Sequence, residues 1–283
     1  RIALGNGSSE ILRMAAAAFL APDKTILAAE PTFEAVLGYA KVTQAEAVKV
    51  PLTADFRHDL PRMAAARSTK TGLLYVCNPN NPTGTINTAD EMLGLLEKVP
   101  PATVVLVDEA YHHFVANPRY KSATGSIERF PNVVVARTFS KIYGMAGLRL
   151  GYAVASKENA AALNRQSSWN NVNAAALAAG LASLADAELV QRQRRLVNDT
   201  KRWLCAELER DRRRYIPSET NFVMIDVGGD VAPVIQGFRT RRILVGRKFP
   251  SMPNWLRITI GTREETTAFL TGLREIVPAR AAA

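Results

Sequence analysis

One lysine lies in a short segment of small and apolar residues, where its charge needs a physical explanation. The segment TFSKIYGMAGLRLG, residues 138–151, places Lys141 directly after Ser140 and puts Arg149 eight residues later. A lysine on the surface stays a solvated cation, whereas a lysine in an enclosed site has a lowered pKa and becomes a nucleophilic amine. Such an amine forms an imine with an aldehyde, so the remaining sequence has to decide between the two environments.

Polar residues follow three apolar segments that have the composition of buried strands. LLYVC runs into NPNNPTG, which contains Asn81, and VVLVD ends at Asp108 and continues as EAY to Tyr111. VVVAR leads directly into the segment of Lys141. Ligands of open α/β sheets bind at the carboxyl ends of the strands, so we expect these side chains to lie together. Alone, Asn81 fits a turn and Tyr111 a core aromatic, and only their recurrence at three strand ends favours a site.

A phosphate-binding group can be assembled from two further segments. The backbone N–H groups at the start of a predicted helix over 8–20, in GNGSSE, could bind an anion together with Ser140 and Arg149. Pyridoxal 5′-phosphate combines four groups that these residues could bind. They are an aldehyde that the lysine could attack, a ring nitrogen that could pair with Asp108, a phenolic oxygen for the neutral donors, and a phosphate. The residues therefore indicate this cofactor.

The surrounding elements alternate between strands and helices in the first half of the chain. Strands are predicted over 25–29, 45–50, 72–77, 103–108, 132–137 and 150–155, with helices over 8–20 and 88–98. Their continuous hydrophobicity is typical of a mostly parallel sheet covered on both faces, in an α/β domain. After about residue 160, a long helical tract to about 212 precedes strands over 221–227, 242–246 and 255–261 and helices over 233–241 and 263–276. These predict a smaller α+β unit.

Composition and charge argue against two classes of partner. The 283 residues are 47% hydrophobic and 22% charged, and no apolar run approaches the ~20 residues that span a bilayer, so we expect no membrane partner. The net charge of +10 is concentrated over 191–215, where leucines at helical spacing leave the arginines on one face. That pattern favours a solvated helix face, and we expect no nucleic acid partner.

The histidines and cysteines do not have the spacing of a metal site. His58, His112 and His113 lack an HExxH pattern and a neighbouring cysteine, and the two cysteines indicate no disulfide framework, so no metal is expected. The chain begins without methionine inside an organised segment, which suggests a fragment without its first part. We expect a cytoplasmic location, with any targeting peptide lost with that part.

Four motifs together resemble the fold-type I (class I/II) aminotransferases, which depend on pyridoxal 5′-phosphate, and most closely the histidinol-phosphate aminotransferase family. They are NPNNPTG, VDEAY, TFSKIYGMAGLRLG and LRITIGTREE, and the likeness runs from GNGSSE to GTREE. The resemblance implies a large α/β domain over 1–165 with a mostly parallel seven-stranded sheet, its N-terminal arm missing. It further implies a connector helix and a small α+β domain over 166–283, and a homodimer.

The resemblance also implies roles for individual residues. Lys141 would be the Schiff-base lysine and proton shuttle, Asp108 would pair with the ring N–H, and Asn81 and Tyr111 would bond the phenolic oxygen. The residues implied for the phosphate are Ser8, Ser9, Thr138, Ser140 and Arg149. Phe33 stands where the family usually has a ring-stacking tyrosine. Arg257 is the expected anchor for a substrate carboxylate, and Arg247, which alone fits a surface arginine better, is a candidate for a second anionic group.

The implied activity is a ping-pong transamination from a small-molecule amino donor to a 2-oxo acid, 2-oxoglutarate. The donor is histidinol phosphate or an aromatic amino acid, and SSWNNVNAAAL at 167–177 departs from the usual family pattern. A decarboxylase or C–S lyase of the same fold stays open as an alternative, as does the cofactor-binding part of a transcription regulator. VVLVDEA resembles a Walker B strand, but the sequence has no matching phosphate-binding loop.

Overall fold

The chain forms a seven-stranded mixed sheet and a three-stranded antiparallel sheet in a computed structural model, which describes residues 1–278. The strands are β1 (Ile2–Gly5), β2 (Thr25–Glu30), β3 (Glu46–Pro51), β4 (Thr71–Cys77), β5 (Val104–Asp108), β6 (Val133–Thr138), β7 (Gly151–Ala155), β8 (Tyr215–Ile216), β9 (Phe222–Asp226) and β10 (Trp255–Thr259). The α-helices are α1 (Ser8–Phe19), α2 (Ala35–Val42), α3 (Leu60–Ala66), α4 (Ala89–Leu96), α5 (Lys157–Asn164), α6 (Ala174–Ala185), α7 (Leu189–Arg210), α8 (Val231–Thr240) and α9 (Arg263–Ile276).

The large sheet has the strand order β1-β7-β6-β5-β4-β2-β3. Strand β7 is antiparallel to both of its neighbours, and the other four pairings are parallel. The mostly parallel seven-stranded sheet is therefore confirmed. Strand β1 was not predicted because it is only four residues long and buries every second residue at the edge of the sheet.

Both faces of the large sheet are covered by helices. One face packs against α1, α2 and α5, and the other packs against α3 and α4. Alternate residues of β4 serve the two cores: Leu73 and Tyr75 join the first, and Leu74 and Val76 join the second, all fully buried. A strand that is buried on both sides needs apolar residues throughout, which explains the continuous hydrophobicity of the sequence.

The small sheet has the order β10-β9-β8 and packs against α7, α8 and α9. The strand predicted over 242–246 is wrong, because that segment is irregular. Arg242 has a left-handed φ of 58°, and the N–H of Ile243 bonds back to Phe238 O, so the segment completes the turn that ends α8. Leu244 is 83% exposed, so its apolar side chain does not enter the core that the pattern suggested.

The predicted helical tract before residue 212 is divided into separate helices. Asn173 caps α6 by accepting a hydrogen bond from the N–H of Ala176, and α6 ends before Asp186. Within residues 1–278, no single helix has the length and hydropathy of a membrane span, although α6 and α7, bent by 83°, meet that description as a pair.

Gly151 lets the start of α1 approach β7. A Cβ atom at Gly151 would lie 2.4 Å from both Gly7 C and Ser8 N, distances that no side chain tolerates. Gly7 has a left-handed φ of 78°, which glycine adopts without strain. These glycines therefore fix the first turn of α1 against the end of the sheet where the predicted polar residues lie.

Candidate active site

A cavity of about 260 Å³ lies at the carboxyl ends of β4, β5 and β6, between the start of α1 and strand β10. Its lining consists of Ser8, Ser9, Phe33, Cys77, Asn81, Asp108, Ala110, Tyr111, Thr138, Ser140, Lys141, Ala146, Arg149 and Arg257. The structure thus brings every predicted cofactor-binding residue, and Arg257, to one cavity. Cys77, Ala110 and Ala146 are the lining residues that the sequence did not predict.

Asp108 is the last residue of β5 and only 2% of it is exposed. Tyr75 donates its hydroxyl to Oδ2 at 3.0 Å, and the N–H of Ala110 donates to Oδ1 at 3.1 Å. Burial raises the pKa of Asp108 to about 6, against the opposing effect of these hydrogen bonds and of the Lys141 charge. Ionisation of this carboxyl group is therefore favoured by a cation or a donor placed beside it.

Tyr75 is a residue of the site that sequence reasoning missed. It lies on β4 opposite Leu106 of β5, two positions before Cys77, which is opposite Asp108. Strand alternation therefore puts the tyrosine on the same face of the sheet as the carboxylate. A single phenol in the apolar strand GLLYVC was the available signal, because a buried hydroxyl requires a partner.

Lys141 lines the cavity, but its side chain is exposed to solvent and is not enclosed by the protein. The protein around it still lowers the pKa of its ammonium group, first by removing water and then through the positive charges of Arg257 and Arg149, while Asp108 opposes the shift. Its Nζ atom lies 5.3 Å from the ring centre of Tyr111. The environment therefore makes the neutral, nucleophilic amine more available than in water.

Asn81, Tyr111 and Arg257 form the side of the cavity that faces the small sheet. Arg257 lies on β10 and donates from Nη1 to Asn81 Oδ1 at 2.7 Å, and its guanidinium lies 5.0 Å from the ring centre of Phe222. The Tyr111 ring meets the Phe222 ring edge-on at 5.1 Å. Burial raises the pKa of Tyr111, which keeps its hydroxyl protonated as a donor. The Nε atom of Arg257 is buried without a hydrogen-bond partner in the described chain.

Arg149 lies at the opposite end of the cavity with a left-handed φ of 61°. Its Nη1 atom donates to Ser140 Oγ at 3.3 Å and to Ala146 O at 2.8 Å, and Nη2 donates to Asn6 O at 3.1 Å. A Cβ atom at Gly7 would lie 2.2 Å from Nη2, so the glycine also makes room for the guanidinium. These bonds hold a fixed positive charge beside the first turn of α1.

The first turn of α1 supplies backbone donors to the same end of the cavity. Its N-cap residue is Gly7, which has no side chain to bond the N–H groups of Ser8 and Ser9. Thr138 Oγ1 accepts from the N–H of Ser140 at 3.0 Å and so orders the turn that carries the lysine. Helix N-termini of this kind bind anions through free N–H groups and the helix dipole.

A buried ion pair anchors the loop that follows Asp108. Glu109 is 1% exposed and accepts from Arg137 Nη2 at 3.0 Å and from the N–H of Ala123 at 2.7 Å. Ser122 bonds both members of the pair. Separating the two partners would leave an uncompensated buried charge, so the intact pair is strongly favoured. Because Glu109 follows Asp108 directly, the pair also holds the backbone of Asp108 in place.

Arg247 does not line the main cavity. It borders an adjoining cavity of about 100 Å³ that shares Phe33, Asn81 and Arg257 with the main one. The guanidinium forms an ion pair with Glu34 and lies 4.4 Å from the ring centre of Phe249. Its side chain is 51% exposed, in agreement with the expectation that it is mainly a surface arginine.

Comparison with known proteins identifies the family. Residues 1–273 match the family described as aminotransferase class I and II. Histidinol-phosphate aminotransferase of Symbiobacterium thermophilum is 44% identical over 96% of this chain and 74% of its own length, and that of Moorella thermoacetica is 41% identical over 97% and 71%. The crystal structure of histidinol-phosphate aminotransferase from Sinorhizobium meliloti with pyridoxal 5′-phosphate superposes with a TM-score of 0.91 at 24% identity, covering 99% of this chain and 77% of that one, which shows the shared fold.

The fold and the cavity thus define an enzyme that uses pyridoxal 5′-phosphate. The chain belongs to the aminotransferase class I and II family, and the fold and family expected from its motifs are confirmed. It catalyses amino-group transfer between small molecules.

The residues of the cavity fit this cofactor. The end formed by Arg149 and the uncapped start of α1 has the donors that a phosphate would need, and the carboxyl group of Asp108 could accept a hydrogen bond from a ring N–H. The buried, unpartnered Nε of Arg257 leaves one further donor for an anionic group. Among residues 1–278, Lys141 is the charged side chain that lines the cavity between these ends, and its amine is compatible with the cofactor aldehyde.

The buried carboxyl group predicts a pH-dependent change in stability. The pKa of Asp108 is about 6 in the folded protein, above its ordinary value of 3.8, so the folded state binds the extra proton and stability falls as pH rises through this window. Asp108→Asn should therefore raise the free energy of unfolding of the cofactor-free protein by about 3 kcal/mol at about pH 8, with no gain below about pH 4. Urea unfolding at the two pH values measures the difference.

Asp23→Asn is the matched control, because Asp23 is exposed in a turn and the same change there should have little effect. If Asp108→Asn instead destabilises the protein at about pH 8, the carboxylate is favourable in the empty site and this account of its pKa is wrong.

Proposed function

We propose that the enzyme transfers the amino group of histidinol phosphate to 2-oxoglutarate, with pyridoxal 5′-phosphate held in the main cavity. The observation that carries the proposal is that a lysine, a buried carboxyl group and two arginines, Arg149 and Arg257, border one cavity. The donor is inferred from the histidinol-phosphate aminotransferases that are 41–44% identical over most of the chain. A phosphate on the donor and two carboxylates on the acceptor both suit an arginine-lined end.

The residues at the phosphate end would fix the cofactor. Arg149, Ser140 and the N–H groups of Ser8 and Ser9 would bond its phosphate, with Thr138 holding the turn of Ser140. Phe33 would cover one face of the ring, where the sequence lacks the hydroxyl of a tyrosine. When bound, the cofactor supplies an electron sink for the bond that is broken at the substrate α-carbon.

Asp108, Asn81 and Tyr111 would set the charge on the cofactor ring. A raised pKa favours the neutral acid in the empty site, and a ring N–H beside the carboxyl group would favour its ionised form. Tyr111 and Asn81 are neutral hydrogen-bonding groups on the same wall. The hydroxyl group of Tyr111 and the NH₂ group of Asn81 are hydrogen-bond donors, which suit an oxygen that carries partial negative charge.

Lys141 would hold the cofactor covalently and then move a proton at the substrate α-carbon. Its lowered pKa leaves more of the amine neutral near neutral pH, which both nucleophilic attack and proton acceptance require. Arg257 and Arg149 contribute to this shift, so the residues that bind anions also activate the amine.

Lys141→Ala should abolish covalent retention of the cofactor and lower turnover at least about a hundredfold, because both nucleophile and proton carrier are lost. Mass spectrometry after borohydride reduction measures retention, and a spectrophotometric assay measures turnover. Lys157→Ala on α5 is the control, since that lysine is exposed and outside the cavity. Covalent attachment that persists in the Lys141 variant would assign the role to another amine.

The identity of the amino donor and the role of Arg257 as the anchor of its anionic group can be tested in one assay. With 2-oxoglutarate as acceptor, histidinol phosphate should give a higher kcat/KM than phenylalanine or tyrosine. Arg257→Ala should raise KM for histidinol phosphate by about 10–100-fold, the effect of losing charge-assisted hydrogen bonds. Arg247→Ala should have a smaller effect, because that residue is not among those that line the main cavity. A preference for an aromatic amino acid would reject the donor and leave the family assignment intact.

We further propose that the enzyme is a homodimer and that α6 contributes to its interface. Leu177, Leu181 and Leu184 are 40%, 70% and 61% exposed, and their spacing puts them on one face of α6. Trp169, just before this helix, is 96% exposed. Apolar side chains grouped in this way favour contact with a second copy, because monomeric proteins rarely expose large apolar patches.

The division into domains over 1–165 and 166–283 is also a proposal. It is supported by the separate cores of the two sheets. The cytoplasmic location stays a prediction.

Leu181→Glu should shift the protein from dimer to monomer, because it places a charge in the proposed interface. Sedimentation velocity at several concentrations measures the change. Val42→Glu is the control, since Val42 is 81% exposed at the end of α2 and belongs to no such group. A wild-type chain that sediments as a monomer throughout would reject the dimer.

A further inference from the structure

A buried amide joins the two loops that carry Phe33 and Asn81. Asn80 is 1% exposed, and its Oδ1 accepts from Thr32 Oγ1 at 2.9 Å. Its Nδ2 donates to Pro31 O at 3.2 Å, on the loop after β2. Because Thr32 precedes Phe33 and Asn80 precedes Asn81, this amide lies directly behind two walls of the main cavity.

The orientation of the Asn80 amide is fixed by a chain of hydroxyl groups. Thr85 Oγ1 donates its single proton to Phe56 O at 2.7 Å. Thr83 Oγ1, 2.8 Å from Thr85 Oγ1, must therefore be the donor in that contact and can only accept from Asn80. The group that contacts Thr83 at 2.8 Å is accordingly the NH₂ of Asn80, and its oxygen faces the other way.

His58 completes this arrangement from the far side. Its Nε2 atom lies 3.0 Å from Asn80 Oδ1, so the proton must be on Nε2 and the histidine donates. His58 is 2% exposed, and its carbonyl accepts from Asn87 Nδ2 at 2.9 Å. Its Nδ1 atom is buried without a hydrogen-bond partner among residues 1–278. Burial lowers the pKa of the ring to about 4, so the ring stays neutral and keeps this one donor.

We propose that His58 is a positioning residue that sets the places of Phe33 and Asn81 by donating from Nε2 to Asn80. His58 is not among the residues that line the main cavity, and it borders a separate cavity of about 300 Å³ beside α3 and α4. Any effect of His58 on the main cavity is therefore transmitted through the amide of Asn80. The inference rests on the proposed function only in so far as Phe33 and Asn81 contact the bound cofactor.

Three substitutions separate the hydrogen bond from simple packing. Glutamine can place an amide nitrogen where Nε2 lies, so His58→Gln should keep the cofactor dissociation constant and kcat within about threefold of wild type. Asparagine is too short to reach, and leucine has no donor. His58→Asn and His58→Leu should each raise the dissociation constant about tenfold, the effect of losing one of the two hydrogen bonds to a buried acceptor. Fluorescence titration of the cofactor-free protein measures the constant without reference to any substrate.

The outcomes are distinct. Equal losses in all three variants, or none in any, would overturn the proposal, because the first indicates packing alone and the second no role. Should the Asn and Leu variants fail to fold, the position of the His58 proton in the wild-type chain still tests the proposal.

The tautomer gives a second readout, because the proposed hydrogen bond requires a proton on Nε2 of His58. The chain has three histidines, so ¹⁵N NMR of the cofactor-free full chain can assign His58. A proton on Nε2 at neutral pH supports the proposal, and a proton on Nδ1 overturns it. Neither this readout nor cofactor binding depends on the amino donor, so failure of the histidinol phosphate assay would leave the test of His58 intact.

Discussion

The carboxyl group of Asp108 has lost almost all contact with water, and much of the site follows from that constraint. Tyr75 and the backbone of Ala110 provide its hydrogen bonds, and Lys141 is the nearby charge that favours ionisation. The Glu109–Arg137 pair holds the adjoining backbone. Because a buried charge requires compensation, a positively polarised group would be favoured at this place and an anionic one disfavoured. Anions would instead be favoured near Arg149 and Arg257, which line the same cavity.

The two sheets meet at the site through few side chains. Arg257 comes from β10 of the small sheet and bonds Asn81 of the large one, and Phe222 of β9 packs against the ring of Tyr111. The arginine that would bind a substrate is therefore fixed to an amide that would bind the cofactor. Any movement of β10 relative to the large sheet would therefore shift the proposed substrate anchor and disturb the amide of Asn81 at the same time.

Much of the fold and of the site could be predicted from the sequence, because parallel strands produce continuous apolar segments and deliver their next residues to one edge. Asp108, Asn81 and Lys141 were found in this way. Tyr75 and His58 were not, because their partners are distant in sequence and an isolated tyrosine or histidine has an ordinary structural interpretation. The segment over 242–246 was assigned to a strand by its composition, yet a left-handed turn at Arg242 directs it elsewhere.

The ion pair between Glu34 and Arg247 joins segments 213 positions apart at the rim of the adjoining cavity. Both side chains are more than half exposed, so dissolved salt weakens their attraction. A rise in ionic strength would therefore weaken this ion pair and leave the guanidinium of Arg247 more free to move. The position of the Arg247 side chain beside this cavity would then depend on the surrounding electrolyte.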